Sequence, residues 1–131
     1  MESMSKVLIA IGSCHRQPVY MAWSLGVLRS LLSDLKLSRT IWTKDVHGSS
    51  RLYMNRLAAG ITQLSADQLE RALKMAEQQA QRTKEHITLD LDLLEYDGHR
   101  RHQDDWSRPY VARLLPDFRV YRVKKKAEKW H

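Results

Sequence analysis

Hydrophobic and polar residues alternate strictly from Ile87 to Leu93. A period of two residues predicts a β-strand that is buried on one face only. The leucines of this strand share one face, while Asp90 and Asp92 share the other. Because they are two positions apart, the two acidic side chains start roughly 6–7 Å from each other.

The rest of the chain predicts strands and helices in alternation. The apolar run over residues 7–11 is typical of a central strand that is buried on both faces. Ser65 and Gln68 have the form of a capping box, which predicts that a helix begins there. Residues 99–117 are polar and predict irregular structure. Strands are predicted over residues 7–11, 37–46, 52–62, 87–94 and 118–123, and helices over residues 18–34 and 66–82.

This β-α-β-β-α-β order, with a further strand at the C-terminus, predicts an α/β (α+β) domain of the ferredoxin-like type. In such a fold one antiparallel sheet carries both helices on a single face. We therefore expect the other face to be open to solvent or ligand, with Asp90 and Asp92 on it. At 131 residues the chain predicts one domain, residues 1–131.

The net charge of +7 suggests a polyanionic ligand, such as a nucleotide polyphosphate, a nucleic acid or an acidic lipid surface. Part of this charge lies in a basic tail, residues 119–131, which is equally consistent with a solvated terminus. No apolar run is long enough to span a membrane, and the N-terminus lacks the pattern of a signal peptide. The single cysteine, Cys14, fits a reducing compartment, so a cytoplasmic location is expected.

Asp90 and Asp92 are candidate metal ligands. Two hard carboxylate oxygens on one rigid strand are what Mg²⁺ uses while it also holds phosphate groups. The alternative is two solvated acids on an exposed sheet face, and the alternation alone does not separate the two interpretations.

Four short motifs, in this order along the chain, resemble the hydroxymethyl-dihydropterin pyrophosphokinase family. Residues 8–13, Leu-Ile-Ala-Ile-Gly-Ser, are similar to its opening strand, and Tyr53-Met54-Asn55 is similar to its aromatic-Leu-Asn motif. Glu77 followed by Arg82 resembles the end of its second helix. Residues 88–92, Thr-Leu-Asp-Leu-Asp, resemble the signature whose acids hold two Mg²⁺ ions.

The resemblance implies an enzyme that moves a pyrophosphoryl group from ATP to the hydroxymethyl group of a pterin in folate biosynthesis. The expected ligands are a pterin, ATP and two Mg²⁺ ions, without membrane or nucleic-acid partners, and the oligomeric state is left open. The implied pterin-binding residues are Thr43, Val46, Tyr53 and Asn55. The implied nucleotide-binding residues are Lys74, Glu77 and Arg82. The implied catalytic cations are Arg82 and Lys84, and the implied metal ligands are Asp90 and Asp92.

Departures from the family pattern limit this implication. Cys14 stands where asparagine is usual, and residues 43–46 lack the family's proline. Only residues 83–87 occupy the place of a longer, arginine-bearing mobile loop that closes over ATP in the family. Two alternatives therefore stay open: a non-catalytic relative that binds a nucleotide or a pterin, and a basic sheet-face module for RNA. Ordinary packing also competes with a binding role at Tyr53 and Asn55, as does solvation at Arg82 and Lys84.

Overall fold

A six-stranded antiparallel sheet organises the computed structural model, which describes residues 3–45 and 48–118. The mixed α/β class and the β-α-β-β-α-β order are confirmed. In the part of the chain described, no helix is both long enough and apolar enough to cross a membrane. The elements are β1 (Ser5–Ser13), α1 (Gln17–Leu31), β2 (Ser33–Leu37), β3 (Ile41–Lys44), β4 (Leu52–Thr62), α2 (Ala66–Gln79), β5 (Asp90–Tyr96), β6 (His99–Arg100), α3 (Gln103–Trp106) and α4 (Pro109–Leu114).

Strand β1 lies in the middle of the sheet, as its continuous apolar run predicts. The strand order is β2-β4-β1-β5-β6, and β3 pairs with β4 beyond the end of β2. Both neighbours of β1 are antiparallel to it, so β4 and β5 present their side chains in register with its own. This interleaving is the arrangement of split β-α-β units.

Helices α1 and α2 cover one face of the sheet. The inward side chains of β1 and β5 pack there against the buried stripe of each helix. The predicted capping box is confirmed at the start of α2, where Ser65 Oγ accepts from the Gln68 backbone N–H and Gln68 Oε1 accepts from the Ser65 backbone N–H. The buried members of this core include Ile9, Ile11, Leu28, Leu69, Leu73, Leu89, Leu91 and Leu93.

The second face of the sheet is partly covered, so the expectation of a fully open face is wrong. Helices α3 and α4 replace the irregular structure predicted for residues 99–117, and their side chains build a second core. Trp106 anchors α3 because its indole N–H donates to the Leu94 carbonyl, at 2.8 Å. The buried residues of this core are Leu8, Ala10, Leu57, Leu94, Tyr110, Val111 and Leu114.

The segment predicted as one strand over residues 37–46 forms two short strands, β2 and β3. The break falls at Ser38, whose hydroxyl accepts from the Leu57 backbone N–H at 2.7 Å. The Ser38 carbonyl accepts from the Arg56 guanidinium at 2.9 Å. A serine that binds the neighbouring backbone in this way interrupts the ladder. The predicted strand over residues 118–123 and the basic tail lie outside the described residues, apart from Phe118.

Candidate active site

One cross-strand row on the second face brings Asn55, Gly12 and Asp90 side by side. Gly12 in β1 pairs with Asn55 of β4 on one side and with Asp90 of β5 on the other. A β-carbon at Gly12 would lie 3.1 Å from Asn55 Oδ1 and 3.9 Å from Asp90 Cβ. The glycine therefore leaves an open floor between an amide and a carboxylate.

Asp90 and Asp92 lie on the face opposite α1 and α2, as the alternation predicts. Leu91 and Leu93 point the other way, into the core beneath those helices. Next to Asp90 in sheet register, Asp92 pairs with Ala10. Both carboxylates are only part-exposed, at 17% and 23% of the side-chain surface respectively. The strand thus presents two acids to the same partly enclosed space.

Two guanidinium groups face these carboxylates. Arg82 Nη1 lies 3.0 Å from Asp90 Oδ1. Arg108 Nη1 lies 3.4 Å from Asp90 Oδ2 and 3.5 Å from Asp92 Oδ2. Arg108 also pairs with Asp105 through its Nη2 atom, at 3.1 Å. The site is therefore a network of carboxylates and guanidiniums, and neither aspartate is simply solvated.

Burial raises the pKa of Asp92 to about 8, and the nearby Asp90 and Asp105 carboxylates add to this shift. The positive charge of Arg108 opposes it. Burial likewise raises the pKa of the Tyr110 hydroxyl to about 12, although Arg108 lowers it. Negative charge is thus costly at Asp92 unless a cation lies close to it.

The oxygen ligands of Asp90 and Asp92 fit Mg²⁺. Within residues 3–45 and 48–118, no group of three or more His, Cys, Asp or Glu side chains is placed to hold a metal ion. Mg²⁺ does not need such a cage, because it is usually held by one or two carboxylates, by water and by substrate phosphates. The pair therefore suits an ion that arrives with a nucleotide.

Glu77 connects the end of α2 to β5. Its Oε2 atom accepts from the Leu91 backbone N–H at 2.8 Å and lies 3.0 Å from Arg82 Nη1. Burial raises the pKa of Glu77, whereas the Leu91 hydrogen bond and Arg82 lower it. Glu77 thereby holds Arg82 against Asp90, so the structure places both predicted nucleotide-site residues beside the carboxylates.

The predicted pterin-binding residues gather at the other end of the same row. Asn55 is 3% exposed, and its Nδ2 donates to Thr43 Oγ1 at 2.6 Å. Tyr53 is half-buried next to them and hydrogen-bonds with the Cys14 thiol. Burial raises the pKa of Tyr53 to about 12, and Cys14, Asp45 and Asp90 contribute to the shift. Val46, the fourth predicted residue, lies outside the described part of the chain.

Lys74 and Lys84 do not join the network. Both are exposed, Lys74 on α2 and Lys84 in the segment between α2 and β5. That segment forms a tight turn in which the Thr83 backbone N–H donates to the His86 carbonyl and Thr83 Oγ1 accepts from the His86 backbone N–H, both at 3.0 Å. The nucleotide role of Lys74 and the catalytic role of Lys84 stay predictions.

Arg108 is a site residue to which the sequence interpretation gave no role. It precedes α4, whose Pro109 occupies the first turn, and it reaches back across the sheet to both aspartates. The signal was present in the apolar spacing of Tyr110, Val111 and Leu114, which predicts a buried helix and hence a fixed position for the residue before it. The surrounding charged residues obscured that short pattern.

A groove of about 1070 Å³ lies elsewhere on the second face. It is lined by residues near the start of β1, such as Lys6 and Leu8, and by Trp106 and Phe118. Gly12, at the site, is near the opposite end of β1. None of the predicted site residues lines the groove, so the network at Asp90 is a surface site and not part of this larger space.

Comparison with protein families gives the chain an identity that agrees with this geometry. The family model for 7,8-dihydro-6-hydroxymethylpterin-pyrophosphokinase (HPPK) matches residues 8–120. A comparison with curated proteins gave no match. The matched range contains β1, the Asn55 row and both aspartates, and it covers far more than half of the sequence. The chain therefore belongs to the 7,8-dihydro-6-hydroxymethylpterin-pyrophosphokinase family.

Proposed function

We propose that this protein transfers the pyrophosphoryl group of ATP to the hydroxymethyl group of 6-hydroxymethyl-7,8-dihydropterin, with Mg²⁺ held by Asp90 and Asp92. The observation that carries the proposal is the row Asn55–Gly12–Asp90, which joins an amide suited to a pterin to a carboxylate suited to a metal. Family membership supports the choice of pterin as acceptor. We also propose that the protein acts in the cytoplasm, because its lone cysteine suits a reducing compartment.

Binding and orientation of the acceptor fall to Asn55, Tyr53 and Thr43. Asn55 already donates one N–H to Thr43, so its carbonyl oxygen and second N–H are left to pair with the edge of a pterin ring. The Tyr53 ring would form one wall of the pocket. Its hydroxyl stays protonated at neutral pH, because burial raises its pKa to about 12. The open floor at Gly12 lets the hydroxymethyl group approach Asp90.

Charge neutralisation falls to the groups around Asp90 and Asp92. Bound Mg²⁺ would supply positive charge to the phosphates of the nucleotide. Arg82 and Arg108 lie within 3.5 Å of the aspartates, so both guanidiniums would face any phosphate bound there. In such a reaction, alignment of the two substrates and neutralisation of the transferring group supply most of the catalysis.

Substitution of both aspartates by asparagine tests this proposal. Asp90→Asn together with Asp92→Asn keeps the shape of the side chains and removes two negative oxygen ligands. We expect the affinity for Mg·ATP, measured by calorimetry, to fall by at least about tenfold, since charge-assisted contacts contribute about 1.5–3 kcal/mol each. AMP release in the presence of the pterin should fall with it.

The matched control is Asp34→Asn, which makes the same change on the exposed strand β2, where Asp34 pairs only loosely with Lys36 at 3.5 Å. This variant should bind Mg·ATP as the parent does. If the double variant also binds Mg·ATP with the parent affinity, the metal site is not at Asp90 and Asp92, and the proposal fails.

A second candidate function, a relative that binds a nucleotide or a pterin without turnover, is favoured by the short segment after α2. Arg82 is tied to Glu77 and Asp90, and residues 83–86 close on themselves. A protein of this kind would bind Mg·ATP and pterin yet release no AMP. For the RNA-binding alternative we find no supporting observation, because the second face carries α3, α4 and two acids across its described part.

A further inference from the structure

A pair of histidines lies just beyond the site, where β1 ends. His15 follows β1 and His86 lies in the turn before β5, and their ring centroids are 4.2 Å apart with a tilt of 38°. The two segments are fastened together by the Cys14 backbone N–H, which donates to the Ile87 carbonyl at 2.9 Å. Their proximity is thus fixed by the backbone rather than by flexible side chains.

The surroundings of this pair are cationic. The pKa of His15 is lowered, first by burial and then by His86, Arg16 and Arg51, which act as positive neighbours. No acid is among these causes. Neither Arg16 nor Arg51 forms an ion pair in residues 3–45 and 48–118, whereas Arg82 and Arg108 are each paired with carboxylates.

The acids nearest in sequence are Asp45, on the β3–β4 hairpin, and Glu85, next to His86. The Asp45 carboxylate accepts from Ser49 Oγ. Glu85 is exposed. Neither contributes to the lowered pKa of His15. Four nitrogen-bearing side chains are thus held together without a neutralising acid, which is unfavourable until an anion binds.

The location connects this cluster to the acceptor side of the site. His15 follows Gly12 by three residues, so their α-carbons are no more than about 11 Å apart. Cys14, between them, hydrogen-bonds with Tyr53. An anionic group attached to a ligand that contacts Tyr53 and Asp90 would therefore reach the histidines.

We propose that His15, His86, Arg16 and Arg51 form a binding site for a diphosphate group. This proposal deepens the proposed pyrophosphokinase function and rests on it for the source of that group. The diphosphate would come either from the nucleotide or from the pterin diphosphate that the reaction produces. Imidazole and guanidinium N–H groups both donate to phosphate oxygens, and these charge-assisted hydrogen bonds are strong.

The test is an NMR titration of the histidine side chains against pH, with and without inorganic pyrophosphate in the absence of Mg²⁺. Bound pyrophosphate should raise the pKa of both His15 and His86, because an anion favours the protonated ring. The double variant His15→Gln with His86→Gln should bind pyrophosphate about tenfold or more weakly. His99→Gln, an exposed change on β6, is the matched control and should bind as the parent does.

Two further titrations identify the source, one with Mg·ATP and one with 6-hydroxymethyl-dihydropterin diphosphate. Perturbation of His15 and His86 by either ligand supports the proposal and names the molecule that supplies the group. The proposal is overturned if pyrophosphate leaves both histidines unchanged, if the glutamine variant keeps the parent affinity, or if neither substrate-derived ligand perturbs the pair.

The Asp90→Asn, Asp92→Asn variant separates this result from failure of the main function. Its histidines should still respond to metal-free pyrophosphate, even where Mg·ATP no longer binds. If Mg·ATP binding proves independent of the aspartates while pyrophosphate still titrates the pair, the pyrophosphokinase proposal falls and the anion site stands.

Discussion

At the scale of single residues, the site depends on what Gly12 lacks. Its position between Asn55 and Asp90 is the place where an acceptor and a metal-bound phosphate would meet. We predict that Gly12→Ala weakens pterin binding about tenfold. The added methyl group would lie 3.1 Å from Asn55 Oδ1 and displace the amide, and one poorly placed hydrogen bond costs about 1.4 kcal/mol.

Calorimetry with 6-hydroxymethylpterin measures this effect, and Gly26→Ala is its control. Gly26 is exposed in α1 with nothing near its missing β-carbon, so alanine there should leave pterin affinity unchanged and stabilise the helix by up to about 1 kcal/mol. Unchanged pterin affinity in Gly12→Ala would mean that the acceptor does not lie over this row.

Single-residue chemistry was also where the sequence was most and least informative. Alternation alone places Asp90 and Asp92 on the face away from the leucines, because the period of a strand is fixed at two. It does not reveal that Arg108, sixteen or more positions later, reaches both of them. Such long-range contacts depend on how α3 and α4 return to the sheet, and local pattern carries little of that information.

At the scale of elements, Glu70 fastens the return of the chain to α2. Arg101 forms two hydrogen bonds to its carboxylate, at 3.3 and 3.0 Å, and His102 contacts it as well. Residues 101 and 102 lead directly into α3 and then to Arg108. The contact therefore helps to hold the second-face helices in the position from which Arg108 meets the aspartates.

We predict that Glu70→Gln lowers the free energy of unfolding by about 0.5–1 kcal/mol near neutral pH, the upper range for part-exposed ion pairs. Burial alone would raise the pKa of Glu70, but the hydrogen bonds from Arg101 and His102 outweigh it and bring the pKa below the ordinary value of 4.5. A lowered folded-state pKa stabilises the protein above pH 4.5 and stops doing so as the pH falls through that lowered value.

Urea unfolding of the parent and of Glu70→Gln at several pH values checks this prediction. The difference between the two should be largest near neutral pH and should shrink below pH 4.5. Glu85→Gln, at an exposed position without an ion pair in the described chain, should show no such difference. A gap between parent and Glu70→Gln that stays constant down to pH 3 would contradict the role of the Glu70 charge.

The same elements show why part of the fold was predictable. Long periodic segments such as α2, with its capping box, were found because pattern and cap agree. The segment over residues 37–46 was misread because Ser38 turns its hydroxyl to the Leu57 backbone, a local contact that the alternation does not show. Helix α4 was missed because a six-residue helix gives too short a pattern to be distinguished from a loop.

At the scale of the whole molecule, a sheet with helices on both faces holds acceptor residues, carboxylates and cations in one row, but little chain is left to cover them. Between Arg82 and Asp90 the backbone forms a tight turn at Thr83–His86, and Arg82 is held down by Glu77 and Asp90. This segment cannot fold over a triphosphate while those contacts persist. The site is thus assembled for binding more completely than for closure.

We therefore predict that turnover is slow while ligand binding persists. Cations positioned on a transferring phosphoryl group contribute on the order of 10³-fold or more in rate, as arginine fingers do. Steady-state AMP formation, with saturating pterin and Mg·ATP, should accordingly be about 10³-fold below that of a family member with the long loop under the same conditions. Binding of both ligands, measured by calorimetry on the same samples, should differ far less, because Asn55, Asp90 and Asp92 are in place. Equal rates would show that Arg82 and Arg108 supply the needed charge without a mobile loop, whereas binding of both ligands with no AMP formation would establish the non-catalytic alternative.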